Sequence, residues 1–141
     1  MSERTVVDGV ALAEATAVGV DVVDVGRFRR ALQRRSSLLQ RLFTVAEREY
    51  AQRFADPAPH LAARFAAKEA AMKALGTGLA GFGFSDVEVA RSESGQPVLR
   101  LMGAASMAAS ERRARSASLS LSHTSDVALA VVVMQCAPGR S

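Results

Sequence analysis

Arg64–Gly78, R-F-A-A-K-E-A-A-M-K-A-L-G-T-G, reads as the greater part of a helix and the loop that follows it. The apolar line of that helix runs through Leu61, Phe65, Met72 and Leu75, which puts its start near Pro59 or His60 and its end at Leu75, with Gly76 as the residue that leaves it. One position of the same seam, Lys68, is an ammonium. Burying it alone would cost several kcal/mol, roughly, so the seam either faces a carboxylate or anion there, or Lys68 runs its stem along the surface to water. Glu69 and Lys73 stand four apart, the spacing of a surface ion pair that contributes only ~0.3–0.5 kcal/mol. Lys73 also lies one turn before Gly76-Thr77-Gly78, whose backbone can approach a phosphate closely, so lysine and exposed amides together make a plausible phosphate cradle.

Upstream of this helix, Ala17–Val23 alternates as a buried strand, with Val18, Val20 and Val22 on one face and the acid Asp21 on the other. Asp24 is placed to cap a helix whose inner side is Val25, Phe28, Ala31 and Leu32 and whose outer side is basic, through Arg27, Arg29, Arg30, Arg34 and Arg35, ending about Ser36–Ser37. Thr44-Val-Ala-Glu47 has the form of a capping box and opens a helix to about Phe54, with Arg48, Glu49 and Arg53 solvated. Downstream, a glycine-rich loop to Phe84 precedes a hairpin, Asp86–Arg91 and Val98–Leu101, turned by Ser92–Pro97. A short helix lies between Gly103 and Arg113. Ser116–His123 alternates strictly, Thr124–Asp126 turns the chain, and Val127–Cys136 is apolar on both faces, which predicts a central strand. Met1–Thr16 reads as an extension, expected to be mobile, ahead of a domain over 17–137.

The 141 residues, nearly half of them apolar, suit one domain with a real core. The longest apolar run, Val127–Met134, is well under the roughly 20 residues needed to span a bilayer, and no signal-peptide pattern opens the chain, so a cytoplasmic protein without a membrane partner is expected. A single cysteine, Cys136, excludes an internal disulfide, and with only His60 and His123 beside it any metal must be held by carboxylates. The net charge of +4 calls for an acidic partner. Nucleic acid is disfavoured because one tyrosine and no tryptophan leave little to stack on bases. The chain carries sixteen arginines but only two lysines, Lys68 and Lys73, both beside Glu69. A compact ammonium suits a single phosphate oxygen, where guanidinium is a planar fork.

Two tempting motifs fail on context. Gly76–Gly81 matches G-x-G-x-x-G, but a dinucleotide fingerprint needs a strand before it and a helix after it, and here the order is reversed. Ser122-His123 near Asp126 resembles a hydrolase triad, yet neighbours on a strand point to opposite faces. His123 is then either a satisfied strand-end histidine or, with the adjacent hydroxyls, a contact for a phosphate or sugar. Asp21 is either a hydrogen-bonded strand-end acid or, with Glu69, half of a two-carboxylate site of the kind Mg²⁺ accepts.

G-V-D-V-V-D-V-G-R-F at Gly19–Phe28, R-F-A-A-K-E-A-A-M-K-A-L-G-T-G at Arg64–Gly78, S-G-Q-P at Ser94–Pro97 and L-S-H-T at Leu121–Thr124 together resemble the holo-acyl-carrier-protein synthases, small 4′-phosphopantetheinyl transferases, in order from about Val18 to Gln135. The resemblance implies an α+β fold, a small single domain with a mainly antiparallel sheet packed against a long central helix, usually as a homotrimer with shared active sites. It implies transfer of 4′-phosphopantetheine from coenzyme A to a serine of an apo acyl carrier protein, releasing adenosine 3′,5′-bisphosphate, as in fatty acid biosynthesis. By the same resemblance Asp21 and Glu69 bind Mg²⁺, and Lys73, Gly76, Thr77 and Gly78 approach the phosphates. Pro97, Ser122, His123 and Thr124 lie near the nucleotide, across an interface, and Glu69 is the candidate to accept the serine proton. Arg27, Arg30 and Arg34 form a stripe suited to docking the acidic carrier. Departures are Asp24 where the family more often has glutamate, Gln96 where it usually has lysine, and the first sixteen residues. A coenzyme A or nucleotide-binding module of the same fold without turnover is the alternative.

Overall fold

The computed structural model describes residues 6–7, 10–11, 15–76 and 83–138. Two short strands, β1 (Val6–Val7) and β2 (Val10–Ala11), pair ahead of a ten-residue strand β3 (Ala15–Asp24). The helices α1 (Val25–Arg34), α2 (Leu38–Leu42), α3 (Val45–Ala51) and α4 (Ala58–Leu75) follow. A 3₁₀ turn at Phe84–Asp86 leads into the hairpin β4 (Val87–Arg91) and β5 (Pro97–Leu101), then α5 (Gly103–Glu111) and the long strands β6 (Ala114–His123) and β7 (Val127–Cys136). The main sheet is antiparallel in the order β3-β7-β6, so the doubly apolar strand is central, as its sequence predicts.

Helix α4 lies across this sheet and organises the molecule. Ala62, Ala63, Ala66, Ala67, Ala70, Ala71 and Ala74 are all buried, and side chains this small let the helix approach its neighbours closely. Gly19 on β3 takes the approach to its limit: a Cβ there would stand 1.7 Å from the carbonyl oxygen of Ala70. One core forms between the C-terminal half of α4, β7 and the β4–β5 hairpin, around Leu75, Val87, Val132 and Met134. The other forms between its N-terminal half and α1–α3, around Val25, Phe28, Phe43 and Leu61.

The local signals act as read. Asp24 accepts the Arg27 N–H at 2.8 Å at the start of α1, and Thr44 with Glu47 closes the capping box of α3. Gly76 caps α4 in the left-handed conformation at φ 72°. Several boundaries differ. β3 begins at Ala15 rather than Ala17. α1 ends at Arg34, α3 ends at Ala51, and α2 fills a stretch to which the sequence reading gives no element. Arg48, expected in solvent, is half-buried with its Nε enclosed.

Candidate active site

Alternation on β3 decides what faces α4. Gly19, Asp21 and Val23 point to the helix, while Val18, Val20 and Val22 point away and are 55%, 46% and 60% exposed. Opposite Asp21, on the helix face that meets β3, stand Glu69 and Lys73. The Lys73 ammonium donates to the Val20 carbonyl at 2.9 Å and to Asp21 Oδ1 at 3.0 Å. The i, i+4 pairing with Glu69 is therefore not the bond Lys73 makes; the lysine turns to the strand, where a backbone acceptor and a carboxylate converge.

Asp21 and Glu69 do meet, carboxyl to carboxyl through a hydrogen bond. Burial, then the Asp21 charge and that bond, push Glu69 up to about 7, while Lys73 pulls the other way. Two carboxyl groups held together in a half-buried place fit a divalent cation well, whose charge would offset both the burial and the Asp21 charge that raise the Glu69 pKa. With only two protein carboxylates, most of its coordination would remain for water and substrate oxygens, the habit of Mg²⁺ rather than of a closed structural site.

A second cluster forms on the far side of α4. His60 is nine residues before Glu69, which at 3.6 residues per turn is about half a revolution around the helix. There Tyr50, His60, Ala63, Arg64, Arg91, Gly95, Pro97, Leu121 and His123 line a cavity of about 260 Å³. The guanidinium of Arg64 lies 3.9 Å over the Tyr50 ring and that of Arg91 4.9 Å over it, and Arg91 also donates to the Tyr50 hydroxyl. Arg64 is buried, and its Nε has no hydrogen-bond partner. Phe54 stacks on His60 at 3.5 Å, and His123 meets His60 edge-on at 4.8 Å. Burial, followed by His123 and Arg64, lowers the His60 pKa, so the imidazole is held neutral. The floor is aromatic and the walls are cationic, which suits a heteroaromatic ring carrying phosphate.

The sequence-predicted residues thus do not all come together. Asp21, Glu69 and Lys73 are brought together, with Gly76 at the end of the same helix. Pro97 and His123 belong to the cavity on the other side. Ser122 faces away from α4, on the open side of the sheet with Val22 and Leu129, and the Thr124 hydroxyl accepts the N–H groups of Asp126 and Val127 in the turn. Thr77 and Gly78 lie outside the described residues. Arg27, Arg30 and Arg34 line one exposed recess with Ala31, as the stripe predicts, whereas Arg29 is engaged by Asp56 at 2.6 Å. Tyr50, Arg64 and Arg91, which line this cavity, are not among the sequence-predicted residues; the available signal was the arginine that opens the R-F-A-A-K-E string.

Lys68 is fully buried and does not reach water. Its carboxylate partner is Glu47, at 2.7 Å, a residue read from sequence only as a cap.

A family model described as the 4′-phosphopantetheinyl transferase superfamily matches residues 17–132. Among curated relatives, a holo-[acyl-carrier-protein] synthase of Clavibacter michiganensis is 47% identical over 118 residues, 84% of this chain and 93% of the relative. One of Caldanaerobacter subterraneus is 42% identical over 116 residues, 82% and 91% of the two chains. Among solved structures, a holo-(acyl-carrier-protein) synthase from Bacillus anthracis in complex with CoA (3′,5′-ADP) superposes with a TM-score of 0.73 at 30% identity, over 89% of this chain and 100% of that one. The Neisseria meningitidis holo-[acyl-carrier-protein] synthase gives 0.76 at 32%, over 84% and 96%.

Proposed function

The chain belongs to the 4′-phosphopantetheinyl transferase superfamily, among the holo-[acyl-carrier-protein] synthases, and from that premise we propose that Asp21, Glu69 and Lys73 are the centre at which it moves phosphopantetheine from coenzyme A to a carrier serine. The observation that carries the proposal is the convergence of Asp21, Glu69 and Lys73 between β3 and α4, where Lys73 donates to Asp21 Oδ1 at 3.0 Å and Asp21 and Glu69 meet. Asp21 and Glu69 would hold Mg²⁺, whose charge would offset that of the pyrophosphate. Lys73, half-exposed beside its two acceptors, and Gly76, with Thr77 and Gly78 next in sequence, would meet the phosphate oxygens. The serine oxygen bonds to the phosphorus next to pantetheine, the bond from that phosphorus to the adenosine bisphosphate oxygen breaks, and Glu69 takes the serine proton. Positioning and charge neutralisation supply most of the rate in such a transfer.

The nucleotide end would occupy the Tyr50–Arg64–Arg91–His123 cavity, with Pro97 and His123 in the places the family resemblance implies. Because that cavity and the acid pair lie on opposite sides of α4, one coenzyme A cannot engage both in one copy. Two copies must share it. The open face of the main sheet supports such sharing: Val18, Val20 and Val22 on β3, all exposed, lie beside the half-buried Leu129, Val131 and Val133 on β7, an apolar band over which no described helix packs. A homotrimer closed through this band, with Ser122 and Thr124 at its rim, brings the acid pair of one copy to the nucleotide cavity of the next.

Arg27, Arg30 and Arg34 are the surface for an acidic carrier, and a cytoplasmic place in fatty-acid or polyketide synthesis goes with that partner. No described helix is long and apolar enough to cross a membrane. The deciding experiment incubates the protein with coenzyme A, Mg²⁺ and apo carriers and reads the carrier mass. A phosphopantetheine increment is expected. No increment on any of several carriers, with coenzyme A still bound, would leave only a binding module.

A further inference from the structure

Lys68 and Glu47 are fully buried, and nothing in the transfer chemistry uses them. Desolvation makes an interior ion pair a costly way to fill space, and apolar residues of similar size often serve stability as well or better. Burial lowers the Lys68 pKa, with the Glu47 charge and hydrogen bond opposing that shift. What the pair does that apolar residues cannot is hold backbone. Lys68 Nζ donates to Glu47 Oε1 at 2.7 Å, to the Phe84 carbonyl at 3.0 Å and to the Val87 carbonyl at 2.6 Å. Glu47 Oε1 also accepts the Thr44 N–H at 2.9 Å, and its Oε2 accepts the Val89 N–H at 2.9 Å. These bonds tie the start of α3, the middle of α4, the 3₁₀ turn and β4 to one point. Three acceptors around a single nitrogen suit an ammonium and not a planar guanidinium, which accounts for a lysine in a chain that otherwise uses arginine.

Three of the four tied elements carry a wall of the nucleotide cavity close to the anchor. Tyr50 is three residues after Glu47 on α3, Arg64 is four before Lys68 on α4, and Arg91 is two after Val89 on β4. Those spacings keep each wall residue on the same face as the residue anchored beside it. The three walls then meet at one ring, Tyr50, under both guanidiniums. Arg64 Nη1 reaches only the His60 carbonyl one turn back on its own helix, at 3.5 Å, and its Nε has no partner, so where the cation sits over Tyr50 depends on the relative setting of α3 and α4.

We infer that the Lys68–Glu47 pair is a positioning device for substrate: it fixes the registers of α3 and β4 against α4 and thereby sets the shape and charge of the cavity that takes the nucleotide end of coenzyme A. The inference rests on the assignment of that cavity to the nucleotide. It leaves the Asp21–Glu69 side of α4 untouched.

The test replaces the pair by apolar residues, Lys68→Met with Glu47→Leu, and separately makes Lys68→Arg and Glu47→Gln. Thermal midpoint, KM for coenzyme A, kcat, and the affinity for adenosine 3′,5′-bisphosphate are measured. The apolar double variant is expected to melt more than about 5 °C below the wild type, because the Phe84 and Val87 carbonyls and the Thr44 and Val89 N–H groups lose their partners. Its KM for coenzyme A and its Kd for the bisphosphate rise at least about tenfold, while kcat at saturating coenzyme A stays within about threefold. Lys68→Arg and Glu47→Gln move KM in the same direction. A folded double variant with KM within about twofold of wild type, or with kcat lost and KM unchanged, overturns the inference. If the double variant does not fold, an unchanged KM in Glu47→Gln overturns it instead. A wild-type protein that adds phosphopantetheine to carrier but fails to bind the bisphosphate overturns the cavity assignment, and the inference with it, while the transferase reading stands.

Discussion

At the scale of single residues, Glu69 is the most informative. Its carboxyl is held near 7 in the folded chain against about 4.5 when free, so the folded state retains a proton that the unfolded state gives up between those values. Stability from this group is fully present below about pH 4.5 and is lost as pH rises through about 7. The metal-free wild type should lose thermal stability across that window, and Glu69→Gln, which cannot ionise, should lose less; parallel curves for the two proteins by calorimetry would refute the raised Glu69 pKa. On the proposed mechanism the same variant should reduce carrier modification by at least about a hundredfold, since it would remove both a cation ligand and the proton acceptor. Gly19 gives the complementary prediction for structure. A methyl group placed against the Ala70 carbonyl must push β3 off α4, so Gly19→Ala is expected to cost about 3 kcal/mol in urea unfolding. A cost near zero would mean that the strand can yield.

At the scale of elements, α1 separates folding from recognition. Its cap is worth about 1 kcal/mol, which Asp24→Ala should forfeit with little change in carrier affinity. Reversing Arg30 and Arg34 to glutamate should leave the melting point nearly unchanged and raise KM for the carrier about tenfold, with a weaker salt dependence. If the doubly reversed protein modifies carrier as well as before, the stripe is only a solvated face. Elements were legible in the sequence where one periodicity ran long enough. β7 is read residue for residue from its unbroken apolar run, and α4 to within two residues from its seam and Gly76. α2 was missed because Leu38–Leu42 is too short to display a period. The site was half legible. Asp21, Glu69 and Lys73 stood out because acids and lysines are conspicuous on apolar elements, but Tyr50, Arg64 and Arg91 come from three elements and meet only through packing. Lys68 announced that it needed a partner, yet Glu47, 21 residues away and already occupied as a cap, gave no sign of being that partner.

At the scale of the whole molecule, the open apolar band and the split site make one claim. Val20→Glu places a charge in the middle of the band without touching the core, so the chain should stay folded, run as a monomer by light scattering, and lose at least about tenfold in activity. A monomer with full activity would refute the shared site. Mixing supplies the converse. Glu69→Gln damages one side of α4 and Arg64→Ala the other, so each variant alone should be nearly inactive. Refolded together in equal amounts, about a quarter of the interfaces would pair two intact halves, and activity should reappear in that proportion. No recovery on mixing would place both halves in one chain.

If two copies share the site as proposed, the half-turn between His60 and Glu69 also governs how this protein behaves when it is scarce. A catalyst whose halves belong to different molecules does not have a fixed specific activity: on dilution below the dissociation constant of the assembly, the rate falls faster than in proportion to the protein present, and returns with a lag on reconcentration. Plotted against total chain, the initial rate should curve upward from the origin, and the concentration at which it straightens measures the strength of the apolar band under working conditions. A cell that makes too little of the chain would thus lose carrier modification abruptly rather than gradually.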